Sequence, residues 1–268
     1  MYKRQEEDSL GLMAVGYYGI LESALRSSLN VNFNNHHKNI SEMYSEFSKI
    51  ASKNADSWMD NPIEAKEILN QSKENPLQAF PYNKFHCSSW NVNQSCALII
   101  CSEEVANKLN VPVEKRVYPI ASSESNHMIA TLQRPNLIEP YGMKLASNFI
   151  LEICKTNNIK PNIYDLYSCF PVAVQMFSRM LDVKKPKHMT ITGGMPFAGG
   201  PLNSYVLHST IKMISKIREQ NNNIGIVTGV SGMMTKQSFS LWAKNPIIEF
   251  LHKDFSKEAR INEIPLDL

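Results

Sequence analysis

The sequence has no Cys-x-x-Cys pair, no apolar run of membrane-spanning length and no marked excess of either charge. Each absence removes a class of function. Its five cysteines (Cys87, Cys96, Cys101, Cys154, Cys169) are odd in number and irregular in spacing. That argues against a zinc or disulfide framework, leaves no metal set to expect, and points to a reducing, cytoplasmic compartment. No stretch reaches the ~18 apolar residues that suggest a membrane span. The net charge of +3, from 28 basic and 25 acidic residues, is small and evenly spread, which argues against nucleic acid or an acidic membrane as partner. Neither the Gly-x-Gly-x-x-Gly nor the Gly-x-x-x-x-Gly-Lys-Ser/Thr spacing occurs, so the common nucleotide fingerprints do not apply. The opening MYKRQEED is charged and lacks the apolar core of a signal peptide; it is compatible with a foreign leader.

What is present suits a globular protein. At 268 residues, 43% hydrophobic and 20% charged, the chain can bury a sizeable core as one large domain or two smaller ones. Its centre of organisation is Lys187 to Gln220. The β-branched run Met189-Thr190-Ile191-Thr192 reads as a buried strand. Four glycines follow in eight residues (Gly193, Gly194, Gly199, Gly200), closed by Pro201. Asn203 or Ser204 can then cap a helix whose apolar stripe is Val206, Leu207, Thr210, Ile211, Met213, Ile214 and Ile217. Glycines before a helix start let backbone N–H groups approach an anion or oxyanion, and the same pattern also serves as a tight connection.

The rest of the chain alternates. Leu10 to Leu29 reads as one buried helix, and helices are expected over His36–Ser52 and Pro62–Leu69 within a polar, loop-rich insertion. Ser95 to Cys101, apolar without interruption, reads as a strand buried on both faces, with a short helix at Glu103–Leu109 after it. Strand Val117–Ser123 delivers His127 just beyond its end. Helix Tyr141–Lys155, strand Ile163–Leu166, helix Val172–Leu181 and strands Ile224–Thr228 and Gln237–Trp242 complete an α/β pattern with a largely parallel sheet. The loops at Cys169, Gly199 and Ser231 are expected to converge at strand carboxyl ends, with His127 at the rim of one pocket.

These residues resemble the thiolase superfamily. Trp90 to Cys101 (WNVNQSCALIIC) is similar to the thiolase strand that follows the inserted loop domain. Tyr167-Ser168-Cys169-Phe170 is similar to the Asn-Glu-Ala-Phe element, and closer to the His-Asp-Cys-Phe form of sterol-carrier thiolases. Gly193 to Pro201 resembles the run ending in Gly-His-Pro, and Gly229 to Gly232 sits where Cys-x-Gly is found. The wording of the motifs looks most like the divergent, acetyl-CoA acetyltransferase-like group, over about Leu10 to Pro246.

The resemblance implies a thiolase-like αβαβα fold and a Claisen-type acyl transfer in lipid metabolism, with a coenzyme A thioester as substrate and no tightly bound cofactor. It divides the chain into residues 1–29 (last helix region of the N-terminal half), 30–85 (loop domain), 86–111 (last strand and helix of that half), 112–246 (C-terminal half) and 247–268 (a tail or further segment). Most of the N-terminal half, with its nucleophilic cysteine, is then missing. The Asn or His position is Tyr167, the histidine of Gly-His-Pro is Gly200, and the second cysteine is Gly229. No catalytic residue therefore carries over by identity. The candidates left are Cys169, His208 and His127 for catalysis, and Gly199, Gly200, Ser231 and Gly232 for ligand binding. Against each stands an ordinary role: a buried cysteine, a core histidine, a loop histidine bonded to backbone, a turn serine. The alternative function is a non-catalytic thiolase-like protein that binds an acyl, coenzyme A or sterol-like ligand or scaffolds a partner enzyme. Expected partners are an acyl-CoA or related small molecule, a second copy of the chain or a partner enzyme. Uncovered apolar elements predict self-association of this chain.

Overall fold

In the computed structural model, residues 4–267 are described. In chain order the helices are α1 (Arg4–Leu10), α2 (Ala14–Ser28), α3 (Phe33–Ala51), α4 (Ala65–Leu69), α5 (Glu103–Lys108), α6 (Tyr141–Thr156), α7 (Pro171–Met180), α8 (Met195–Ala198), α9 (Tyr205–Glu219) and α10 (Ser256–Asn262). The strands are β1 (Leu77–Ala79), β2 (Tyr82–Asn83), β3 (Tyr118–Asn126), β4 (Ile163–Asp165), β5 (Ile224–Ser231), β6 (Lys236–Ala243) and β7 (Leu251–Asp254). β1 and β2 form a small ribbon; the others form one sheet in the order β4-β5-β6-β3-β7.

The sheet is mixed. β4 pairs parallel with β5, and β3 with β7, while β6 runs antiparallel to both its neighbours β5 and β3. The largely parallel expectation is corrected at β6 for a simple reason. Only four residues, Gly232 to Thr235, join β5 to β6, and a turn that short permits antiparallel pairing alone. β3, β4, β5 and β7 still point the same way, so their carboxyl ends share one edge of the sheet.

Alternation along the strands feeds two layers. Ile226, Phe239 and Leu241 face a large core with α6 and α7, where Phe177 meets Phe239 edge-on at 5.4 Å. Val227 faces the other way, onto Met213 and Ile217 of α9. The 30–85 segment is more than a loop-rich cover. Ile40, Met43, Tyr44, Phe47 and Ala51 along one face of α3 belong to the same core as the sheet. A buried carboxylate ties this region together: Glu22 of α2 accepts from His36 (2.6 Å), Gln175 (2.7 Å) and Tyr82 (2.6 Å).

Three expected elements differ. The expected Leu10–Leu29 helix begins only at Ala14, as α2; Leu10 instead ends α1, and Gly11 between them takes φ +73°. Met189–Thr192 is not a strand. Its backbone bends around the carboxylate of Asp165, whose Oδ2 accepts from the N–H groups of Ile191 (3.0 Å) and Thr192 (2.9 Å). Those donors are engaged by a side chain and cannot enter a ladder. Ser95–Cys101 carries no strand either, and Ile99 and Ile100 are 92% and 80% exposed. Among the described residues no strand lies beside it to complete its hydrogen bonds, so apolarity alone does not make it a buried strand.

Candidate functional site

The glycine-rich run is set by the end of β4. Besides the two backbone donors, Asp165 accepts from Thr190 Oγ1 (3.2 Å) and from the hydroxyl of Tyr205 (2.8 Å), and it is fully buried. Thr190 Oγ1 in turn accepts from Gly193 N–H (3.0 Å), Thr192 Oγ1 from Gly194 N–H (3.2 Å), and Ser168 Oγ from Met195 N–H (2.9 Å). Gly200 N–H donates to the carbonyl of Ser89 at 2.9 Å. The loop's amides are therefore mostly engaged inside the protein, and the expected cradle of free N–H groups is not formed by Gly193, Gly194 or Gly200.

A cleft of about 280 Å³ opens beside this loop. One wall is α9, where Tyr205, His208 and Lys212 follow one another along a helical face. Gly199, at φ +101°, and Thr192 form the floor, and the segment Gln94–Ala97 with Asn54 and Asp56 closes the other side. Polar contacts hold its shape. Gln94 donates to the carbonyls of Asp56 and Ala198 (both 2.8 Å), Asn54 to the carbonyl of Thr192 (3.0 Å), and Lys212 Nζ to Asn54 Oδ1 (2.6 Å). His208 is half-buried, its Nε2 has no partner among the described residues, and burial lowers its pKa from the usual value. A neutral imidazole lining a cleft can donate or accept a hydrogen bond to a ligand.

The expected single pocket is divided. Gly199 and His208 share this cleft, but Cys169 lies in the core outside it. The Cys169 thiol is hydrogen-bonded to the Tyr18 hydroxyl, and burial pushes its pKa to about 12. That holds the sulfur as a thiol, the unreactive form. Gly200 is buried, and a β-carbon there would come within 2.4 Å of Ser88 Oγ and 2.8 Å of the Met195 methyl. A side chain at 200 would therefore require Ser88 and Met195 to shift. Gly229 lies inside β5, where a β-carbon would meet Ser238 Oγ at 2.6 Å. Ser231 is exposed at the end of β5, and the carbonyl of Gly232 accepts from Thr235 within the turn.

His127 sits just past β3. Its backbone N–H donates to the Thr235 carbonyl and its Nε2 to the Glu263 carbonyl at 2.9 Å, so it is a loop histidine bonded to backbone. It lines a second, much smaller cavity of about 10 Å³ with Ser125, Arg134, Gln237 and Glu263. Sequence reasoning missed Lys212, Asn54 and Gln94 at the cleft and Arg134 at this cavity. The spacing of Tyr205, His208 and Lys212 carried a signal, since three polar groups on one helical face mark a lining. Asn54 and Gln94 reach the cleft only through tertiary folding.

No group of His, Cys, Asp or Glu among the described residues could hold a metal ion, and no described helix is long and apolar enough to cross a membrane. No protein-family model and no curated protein sequence matches the chain. Solved structures do. A monomeric SCP2-thiolase like protein type 1 from Mycobacterium smegmatis superposes with a TM-score of 0.81 at 28% identity, over 88% of this chain and 52% of that one. The chain thus spans about half that protein's length. The Ltp2-ChsH2(DUF35) aldolase (TM-score 0.68, 13% identity, 92% of this chain and 70% of that one) shares the fold. So does the dimeric peroxisomal thiolase of Saccharomyces cerevisiae (0.53, 13%, 91% and 63%). The mixed five-stranded sheet and its covering helices match a thiolase-like fold, and the likeness to the SCP2-thiolase like protein supports a divergent member of the thiolase-like superfamily.

Proposed function

We propose that this chain is a ligand-binding member of the superfamily, taking the acyl-thioester end of a coenzyme A ester in the cleft between α9 and Gln94–Ala97, and that it does not turn the ester over by the family's usual groups. The observation that carries the reading is Gly200 itself, which has no side chain and whose β-carbon position is crowded by Ser88 Oγ at 2.4 Å and the Met195 methyl at 2.8 Å. Gly229, interior to β5, likewise supplies no side chain, and a β-carbon there would meet Ser238 Oγ at 2.6 Å. The cleft beside them is open and chemically mixed. His208 and Lys212 offer donors to a carbonyl or anionic head, while Ala97, Ala198 and Ile211 give an apolar wall for a short acyl chain.

One observation favours the acyltransferase reading, the unpartnered Nε2 of His208 at the cleft. A positioned acid or base contributes typically ~10²–10⁴-fold, so the two readings separate cleanly in an assay. Calorimetric titration of the chain with acetyl-CoA should give saturable binding, weakened at least about fivefold in His208→Ala and in Lys212→Ala, the loss of roughly one hydrogen bond. Release of coenzyme A thiol over hours should match the protein-free rate. Thiol release that falls at least about tenfold in His208→Ala would move the account to the acyltransferase. Absence of any acyl-CoA binding would overturn both.

A further inference from the structure

The cavity beside His127 is lined by a buried cation that has no hydrogen-bond partner among the described residues. Arg134 is 6% exposed, and Nε, Nη1 and Nη2 all lack a hydrogen-bond partner among the described residues. A guanidinium carries five N–H donors in a planar fork that matches a carboxylate, and burying it with none engaged is unfavourable unless something else serves it. Ser125 Oγ, at the end of β3, lines the same cavity and is also without a partner.

Two carboxylates and one phenol act on Arg134 electrostatically: Glu6, Glu263 and Tyr18. Glu263 is engaged elsewhere, since one of its oxygens accepts from Tyr141 N–H, and burial raises its pKa. Glu6 reaches in from α1. It is 1% exposed, Oε1 accepts from Leu132 N–H, and Oε2 has no partner. An unpaired carboxylate oxygen and an unpaired guanidinium thus lie in the same buried region without meeting. Glu6 makes no direct ion pair with Arg134 among the described residues.

α1 is held lightly. Of its seven residues only Glu6 is buried and Leu10 half-buried, and Gly11 at φ +73° separates it from α2. We propose that Arg134, the Leu132 N–H and Ser125 form a recognition site for the carboxylate of a small, short-chain acid, with Glu6 as its built-in competitor, removed when α1 lifts about Gly11. The cavity beside Arg134 as it stands has room for about one water, so the acid would have to take the volume that the buried Glu6 side chain vacates. An untethered carboxylate can then take the bidentate geometry that Glu6 does not reach. The site lies at the carboxyl end of β3, the edge where α/β sheets place ligands, and it is separate from the cleft at His208.

Calorimetric titration of the whole chain with butyrate, and with acetate as the smaller probe, tests this. Glu6→Ala should bind butyrate at least about tenfold more tightly than the parent, with Glu6→Gln in between. Arg134→Gln added to Glu6→Ala should abolish the binding. Where that double variant does not fold, Arg134→Lys, which keeps the charge without the fork, should cost at least about tenfold. Amide exchange gives an independent reading: the Leu132 N–H should exchange faster in Glu6→Ala and regain protection with butyrate. A folded Glu6→Ala chain that binds butyrate no better than the parent overturns the proposal. So does binding that survives at Arg134→Gln, or loss of the cooperative fold in both Glu6 variants, which would make Glu6 a structural group.

Discussion

His86 shows how a single buried side chain fixes a pH dependence. It is fully buried, its Nδ1 accepts from Asn83 N–H at 3.2 Å, and its Nε2 therefore carries the proton and donates to Ser41 Oγ at 3.1 Å. Protonation would destroy the Nδ1 acceptor and bury a charge, and burial accordingly lowers the pKa from 6.5 to about 3. The unfolded chain then binds more protons than the folded one over that window, so stability falls as pH drops below about 6.5 and the loss is complete near pH 3. At pH 5 the loss from this group is about 2 kcal/mol relative to neutral pH. Chemical denaturation of His86→Gln should show lower stability at pH 7 but a correspondingly shallower decline towards pH 5. An unchanged slope would assign the acid sensitivity to other groups. Cys169, by contrast, was legible as a motif residue and not as a chemical group. Its burial against Tyr18 depends on α2, 150 positions away in the chain, and no local pattern encodes that.

At the scale of elements, periodic segments read well and connections did not. α3, α6, α7 and α9 fall within a few residues of their expected bounds because each shows a buried face at helical spacing. Met189–Thr192 has strand composition, yet the Asp165 carboxylate captures its amides, an outcome set by a residue more than twenty positions earlier. Ser95–Cys101 failed for the opposite reason: the residues suit a strand, and the partner strand is missing from the described residues. An uncharged, apolar segment with unpaired backbone groups is a template for pairing with another chain. Replacing Ile99 by Lys and Ile100 by Glu should reduce self-association, read by light scattering over a concentration series, and leave the unfolding midpoint within about 2 °C, as expected for exposed positions. Equal association in the parent and the double variant would show that another surface is responsible.

For the whole molecule, the superfamily was legible because several short motifs recur in one order, and order survives divergence that local chemistry does not. The site was less legible. The family positions point to Gly200 and Gly229, while the open cleft lies along the His208–Lys212 face of α9 and is completed by Asn54 and Gln94 from remote parts of the chain. In the function proposed above, this cleft binds an acyl thioester without cleaving it. The most direct measurement is an NMR titration of the chain, with its histidine side chains labelled, against acetyl-CoA carrying a labelled acetyl group, since one sample reports both contact and turnover. The account predicts that the His208 imidazole resonances shift saturably, that those of the fully buried His86 do not, and that the acetyl signal stays that of the intact thioester. An unmoved His208, or conversion of the acetyl signal to free acetate or a condensed product at a rate that depends on His208, would contradict it.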